Sequence, residues 1–258
     1  MVSRTLYKSI FFTSLISSGF INPSFVAAEE LPTVVVSAAR SQQSNVTVPA
    51  SIKVISRQQI ESSGAANLSE VLRGQPGVYL TDLFGDGTGS SVSMRGFSSA
   101  SAKSNILFNI DGRRINTIDL KGPNLNSISI KDIERVEIVQ GSAGTLYGDQ
   151  AVGGVINIIT RKPEKFGVEV EAFTGSYDRN RVMARIENKK DNGLSYVITT
   201  DFYASENYRD NNKLDLMNVL GRMDYEFSKG SIFAEFGRIH EVQELSGALL
   251  SAEVALNR

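Results

Sequence analysis

The chain has 258 residues, enough for one or two domains, and a net charge of −1, which points to no polybasic or polyacidic partner and to no nucleic acid. It has no cysteine and a single histidine, His240, which excludes disulfides, cysteine nucleophiles, thiolate metal sites and a histidine cluster for zinc. Its 22 glycines and 13 phenylalanines suit a turn-rich β protein.

The first 28 residues read as a cleaved secretory signal peptide. Arg4 and Lys8 give a positive start, Ile10–Ile21 an apolar stretch, and Val26-Ala27-Ala28 the small residues of a cleavage site. No later run reaches the ~18 apolar residues that a spanning helix needs. The mature chain is therefore expected to be exported, either soluble or held in a membrane as a β-barrel.

Leu31–Ser37 is a β-prone heptapeptide beside a polar tract. It suits either a first strand docked on its own domain or a strand added to a partner's sheet edge. Ser51–Ile55 reads as a strand. Ser56-Arg57-Gln58-Gln59 fits a capping box that opens a short helix ending at Gly64. A second box, Asn67–Glu70, opens another helix, stopped by Gly74 and Pro76-Gly77. Val78–Leu80 is a strand. Leu83–Ser91 is a polar loop that lacks the middle ligand and the final Glu of a calcium loop. Arg95-Gly96-Phe97 follows, then the loop Ser98–Ser104. Ile106–Ile110 is a strand closed by the hairpin-type turn Asp111-Gly112, and Asn116–Asn126 is a third loop.

Ile133–Thr160 reads as two strands joined by a tight glycine-rich elbow. Arg135–Gln140 alternates, and Val155–Thr160 is almost wholly β-branched, as a strand buried on both faces would be. Gly141–Gly148 lacks the Gly-Lys-Ser/Thr ending of a P-loop, and no Gly-x-Ser-x-Gly elbow occurs. With no enzyme motif and no cofactor motif, no catalytic residue or cofactor is expected.

After Pro163, segments of roughly ten residues alternate between polar turns. Val182, Ala184 and Ile186 oppose Arg181, Met183, Arg185 and Glu187. Tyr196, Ile198 and Phe202 oppose Ser195, Thr199 and Asp201, and Met217, Val219 and Met223 oppose Asn218, Arg222 and Asp224. A soluble sandwich also alternates. The charges on the polar face and the aromatics Tyr177, Tyr203, Tyr225 and Phe227 near strand ends favour a wet lumen and a lipid-side girdle.

These pieces, in this order, resemble a TonB-dependent outer-membrane transporter. Leu31–Ser37 resembles the TonB box, Leu68–Tyr79 the first plug helix and strand, Ser93–Phe97 the Arg-Gly-Phe strand, and Ile110–Gly112 the Asp-Gly turn. Gln140–Ser142, Leu146–Gly148 and Gly153–Thr160 resemble the family's closing plug block. The resemblance implies an α+β plug domain followed by antiparallel transmembrane β-barrel strands, with about 22 strands in a complete barrel. It implies a signal peptide over 1–28, the box and linker over 29–48, the plug over 49–163 and the start of the barrel over 164–258.

It also implies TonB as a partner, met through Thr33, Val34, Val35, Val36 and Ser37, and outer-membrane lipid around the barrel. The ligand it implies is a small-molecule metal chelate, a ferric siderophore first, with cobalamin, haem or another metal complex open. The lone His240 gives haem little help. A soluble plug-like binding module is the other reading. Ligand contact is expected from loop residues Phe84, Asp86, Ser98, Ser99, Asn116 and Asn124. The plug-seating positions are Arg95 and Gln140, and the family usually has Arg where Gln140 stands, so half of the seating charge is missing. About five barrel strands precede Arg258, too few to close, so the full-length sequence is expected to continue.

Overall fold

Two sheets with different packing demands make up the described part of the chain. The computed structural model describes residues 51–82, 87, 89–96, 105–116, 123–141, 147–148 and 151–247, and the backbone of Val34–Val35 and Gln43–Ser44. The signal-peptide expectation falls outside these residues. Strands β1 (Val34–Val35) and β2 (Gln43–Ser44) form a small antiparallel pair.

The first sheet is mixed. Its strands are β3 (Ser51–Ser56), β6 (Ile106–Ile110), β7 (Arg113–Arg114), β8 (Ile133–Gln140) and β9 (Gly154–Thr160), in the order β3-β8-β9-β6-β7. Strand β9 is antiparallel to β8 and parallel to β6. It lies in the middle, and Val155, Ile156 and Ile158 are fully buried, as its β-branched run requires. Helices α1 (Arg57–Ser62) and α2 (Leu68–Leu72) join the main core through Ile60, Leu68 and Leu72, which pack with Val136, Ile138, Ile156 and Ile158. A smaller cluster of Leu107, Val139, Ala151 and Val155 forms separately. Strands β4 (Val78–Thr81) and β5 (Ser91–Met94) form a hairpin-like pair that adds Val78, Val92 and Met94 to the main core.

Local signals set the ends of these elements. Ser56 and Gln59 form the expected reciprocal capping box on α1. Asn67 caps α2, but the Glu70 carboxylate takes the Ala66 N–H at 2.7 Å rather than that of the cap residue itself. Asp111 and Gly112 both have positive φ, 49° and 82°, as a tight primed turn between β6 and β7 demands. Two expectations are corrected. The β8–β9 connection runs from Gly141 to Gly153, so it is no tight elbow even though the strands are neighbours. The third loop stops at Asn124, because Leu125–Ser127 forms a 3-10 turn that buries Leu125 and Asn126.

The second sheet is an antiparallel meander: β10 (Gly167–Gly175), β11 (Arg179–Lys189), β12 (Leu194–Ser205), β13 (Leu214–Phe227) and β14 (Gly230–Gln243). All five expected strands are present, most of them longer than the alternation indicates. Val182, Ile186, Ile198 and Phe202 stand exposed on one face. Arg181, Arg185, Thr199, Asp201 and Asn218 are buried on the other, against the first sheet's domain.

Gly154 is where the first sheet tolerates no side chain. Its φ is +153°, and a Cβ there would collide with the Val139 carbonyl oxygen and the Met94 methyl group. Replacing Gly154 by Ala should destabilise the chain by about 1–3 kcal/mol, the usual cost of overpacking. Denaturant unfolding checks this, and an unchanged midpoint would refute the packing account.

Candidate functional site

The two sheets meet through a set of buried polar and charged side chains. Its centre is the short segment that leads into β8. Ser129 precedes a 3-10 turn, Ile130–Asp132, and both Ser129 and Asp132 are buried. Arg57, at the start of α1, donates to the carbonyls of Ile130 and Ile133 at 2.8 Å each, so this segment is held from the plug side.

The meander holds it from the other side. Arg185 of β11, 2% exposed, donates to the Asp132 carboxylate, and the Thr199 hydroxyl of β12 donates to the same oxygen at 2.6 Å. Glu187 takes a second bond from Arg185 at 2.7 Å. Four residues away on the same face of β11, Arg181 forms a two-pronged pair with Asp201 of β12 at 2.7 and 2.5 Å. That pair reaches the plug as well: Arg181 donates to the Ala66 carbonyl, and the Ser129 hydroxyl donates to Asp201 at 3.2 Å. Asn218 of β13 donates to the Ser127 carbonyl at 2.7 Å.

More exposed ties surround this centre. Lys131 pairs with Glu171 of β10. Arg161, just past β9, grips Glu169 at 2.7 and 3.0 Å, and its backbone N–H donates to the Asp132 carbonyl. That bond to Glu169 raises the Arg161 value further above its ordinary one. On the neighbouring strands, Asp111 at the β6–β7 turn meets Arg222 of β13 at 3.3 Å, and Arg113 meets Glu235 of β14 at 2.6 Å. Asp111 also accepts from the Thr160 N–H and hydroxyl, so the turn is tied to the end of β9.

The two expected seating positions lie together at the end of β8. Gln140 donates to the Pro76 carbonyl, and its amide lies where a Cβ on Gly77 would stand. The Arg95 guanidinium lies against Gly141, beside Gln140, and Arg95 itself is exposed with φ 53°. The structure thus brings Arg95 and Gln140 near one another. Among the described residues neither makes an ion pair with the meander.

Of the loop residues, Phe84, Asp86, Ser98 and Ser99 lie outside the described residues. The Asn116 amide clamps β6, accepting from the Phe108 N–H at 2.7 Å and donating to the Ile106 carbonyl at 2.9 Å. Asn124 caps the 3-10 turn through the Asn126 N–H and donates to Glu241 of β14 at 3.3 Å. Of the TonB-box residues, the backbone of Val34 and Val35 is described, paired with Ser44 and Gln43; Thr33, Val36 and Ser37 lie outside the described residues. Sequence reasoning did not select Asp132, Thr199 or Asp201 as site residues. The inward alternation did put Arg185, Thr199 and Asp201 on the right face, while nothing local marks Asp132.

Among the described residues no cluster of His, Asp and Glu has metal-binding geometry, and no helix is long and apolar enough to cross a membrane, which says nothing of strands. A small α+β sheet seated against the charged face of an antiparallel meander is the architecture of a plugged β-barrel receptor. Residues 44–155 match the family described as TonB-dependent Receptor Plug Domain. Over 229 residues the chain is 33% identical to the Vitamin B12 transporter BtuB of Vibrio vulnificus (strain CMCP6), covering 87% of this chain and 36% of that one. It is 38% identical over 152 residues to the Vitamin B12 transporter BtuB of Vibrio cholerae serotype O1 (strain M66-2), covering 58% of this chain and 24% of that one.

Among solved structures it resembles the ferripyoverdine receptor of the outer membrane of Pseudomonas aeruginosa bound to ferripyoverdine. That match has a TM-score of 0.67 and 22% identity, over 81% of this chain and 27% of that one. It also resembles the ferric citrate transporter FecA in the unliganded form, with a TM-score of 0.67 and 21% identity, over 81% of this chain and 34% of that one. The chain belongs to the TonB-dependent outer-membrane receptor family, carrying a plug domain and antiparallel barrel strands. It spans well under half the length of the curated relatives it matches.

Burial pushes the Asp132 carboxyl above the ordinary carboxylate value, outweighing the Thr199 hydroxyl and the Arg185 guanidinium, which pull it down. A raised folded-state value means that this group's contribution to stability is full below its unfolded value, about 3.9. The contribution is lost as the pH rises through the raised value. Asp132→Asn should therefore flatten that part of the pH–stability curve. Thermal unfolding in detergent across that range tests it, and identical pH dependence in both proteins would refute the assignment.

Proposed function

We propose that the chain is the plug and first barrel portion of a receptor that takes up a bulky metal chelate across the outer membrane, driven by TonB. The observation that carries this reading is the joint one: a plug domain whose charged contacts sit on the inner face of strands with an apolar outer face. Rows such as Phe236, Gly221, Ile198, Ile186 and Val168 run across all five strands on that outer face, as a lipid-facing surface needs.

In this reading residues 1–28 direct export, 29–48 hold the TonB-contacting strand, 49–163 form the plug and 164–258 begin the barrel. Thr33–Ser37 adds a strand to TonB through main-chain hydrogen bonds, and traction on it reaches the plug at β3. Ligand contact falls to the loop residues Phe84, Asp86, Ser98, Ser99, Asn116 and Asn124. No bond in the ligand is broken, so the protein is a transporter and not an enzyme.

Two ligand classes divide the proposal. A ferric siderophore is the class expected from the resemblance. Cobalamin has the support of the Vitamin B12 transporters, the relatives with 33–38% identity. Uptake of radiolabelled cyanocobalamin and of a radiolabelled ferric siderophore, in cells carrying the gene with and without TonB, separates them. We expect uptake of one, abolished by loss of TonB. A Val34→Pro change, which removes a strand N–H, should abolish TonB crosslinking and reduce uptake to background. Uptake that is indifferent to TonB would overturn the reading.

A further inference from the structure

We infer, on the uptake reading above, that Asp82, Gly87 and Asn67 form a clasp that fixes the loop 83–91 to the head of α2 and so positions it for ligand capture. All three are positioning residues, acting on the ligand only through the loop they hold.

The loop joins β4 to β5, whose last pair is Thr81 with Ser91. Beyond that pair Asp82 sets its course. One oxygen of the Asp82 carboxylate accepts the Gly87 N–H at 3.0 Å and the Arg73 guanidinium at 3.0 Å. The Asp82 side chain is only 7% exposed, so water competes little for the bond to Gly87.

Gly87 is buried against α2. Its carbonyl accepts from the hydroxyl of Ser69, a buried residue of α2, at 3.4 Å. Its φ is +86°, and a Cβ there would stand 2.6 Å from the Asn67 side-chain amide. That amide is not free to swing aside, because Asn67 caps α2 by accepting the Glu70 N–H at 2.9 Å. Glycine is thus required on two grounds, backbone conformation and space. With its N–H on Asp82 and its C=O on Ser69, Gly87 is pinned at both main-chain groups.

The head of α2 is itself held. The carbonyl of Ala66, next to Asn67, accepts from Arg181 of β11. The clasp therefore sets Gly87 at one height against the strands. Phe84 and Asp86, two of the residues proposed to meet the ligand, lie between the clasped positions 82 and 87. Fixing the ends of that short segment before the ligand arrives removes part of the ordering cost that binding would otherwise bear.

The test is concentration-dependent uptake of radiolabelled cyanocobalamin and of a radiolabelled ferric siderophore in cells carrying the gene, with amide hydrogen exchange on the full chain in detergent beside it. For the probe taken up, Asp82→Ala should raise the half-saturating concentration about tenfold and leave the maximal rate within about twofold. Asp82→Asn keeps an oxygen for the Gly87 N–H and should stay within about twofold of the native half-saturation. Gly87→Ala should act as Asp82→Ala does, and adding Asn67→Ser, which keeps a cap and clears the space, should recover part of the loss. Asp82→Ala should also speed exchange over residues 82–91 by about tenfold while β8 exchanges as before.

Should Asp82→Ala fail to reach the membrane, Gly87→Ala with and without Asn67→Ser decides the matter. The clasp is overturned if Asp82→Ala moves neither half-saturation nor exchange, if Asp82→Asn is as damaging as Asp82→Ala, or if the maximal rate falls while half-saturation holds. Uptake of neither probe would reject the uptake reading, and exchange over residues 82–91 would then decide the clasp alone.

Discussion

The contact between Arg185 and Asp132 sets conditions that the surrounding structure has to meet. An arginine buried on a strand needs its guanidinium satisfied from several directions, and Asp132, Glu187 and the Arg161 carbonyl do this together. That arrangement requires the 129–133 segment to arrive at one height and one angle. Arg57 holds its carbonyls, and the backbone of Arg161 holds Asp132 from behind. Because a strand has a two-residue side-chain period, a slip of one residue in β11 would turn Arg185 outward and bring Ala184 or Ile186 inward. The buried pair therefore selects a register as well as adding energy. Well-packed apolar residues could match its energy without matching its selectivity.

The same logic explains why the two sheets differ in texture. The plug sheet hides both faces of β9 and meets its neighbours through close backbone approach, which is why Gly154 is bare. The meander hides one face only. Its inner face is polar because it meets a plug surface built from turns and strand ends, which expose carbonyls and carboxylates. Ala66, Asn126, Ser127 and Asp132 all present oxygen atoms to it. Arginine, asparagine and threonine suit that surface because each donates hydrogen bonds from a side chain.

Much of the fold was legible in the sequence because it rests on local signals. The capping box at Ser56, the Asp111-Gly112 turn, the β-branched run of β9 and the two-residue alternation of β11 to β13 each have a physical cause within a few residues. The misreadings came where tertiary contact decides. Leu125–Ser127 looks like loop by composition but forms a 3-10 turn that buries Leu125 and Asn126. Glycine density between β8 and β9 implied a tight turn, although the strands pair across a long connection. The candidate site was less legible still. Asp132 is one acid among many in the sequence, and only the meeting of β11, β12 and the turn distinguishes it.

Gln140 departs from the arginine expected at the end of β8, and the structure shows what occupies it instead. From sequence it reads as a seating charge gone missing. In the structure its amide donates to the Pro76 carbonyl and fills the space beside Gly77, where no Cβ fits. The same end of β8 pairs with Ser51 of β3, a strand on which Ile55 is buried and Ile52 and Val54 are half-buried. The other end of β8 begins at Ile133, against the Asp132 contact. One strand thus joins an end paired with Ser51, close in sequence to the segment proposed to meet TonB, to an end held against the meander through Asp132. From β3 the chain runs directly into Arg57, whose bonds to the Ile130 and Ile133 carbonyls connect it to the Asp132 segment and so to the strands.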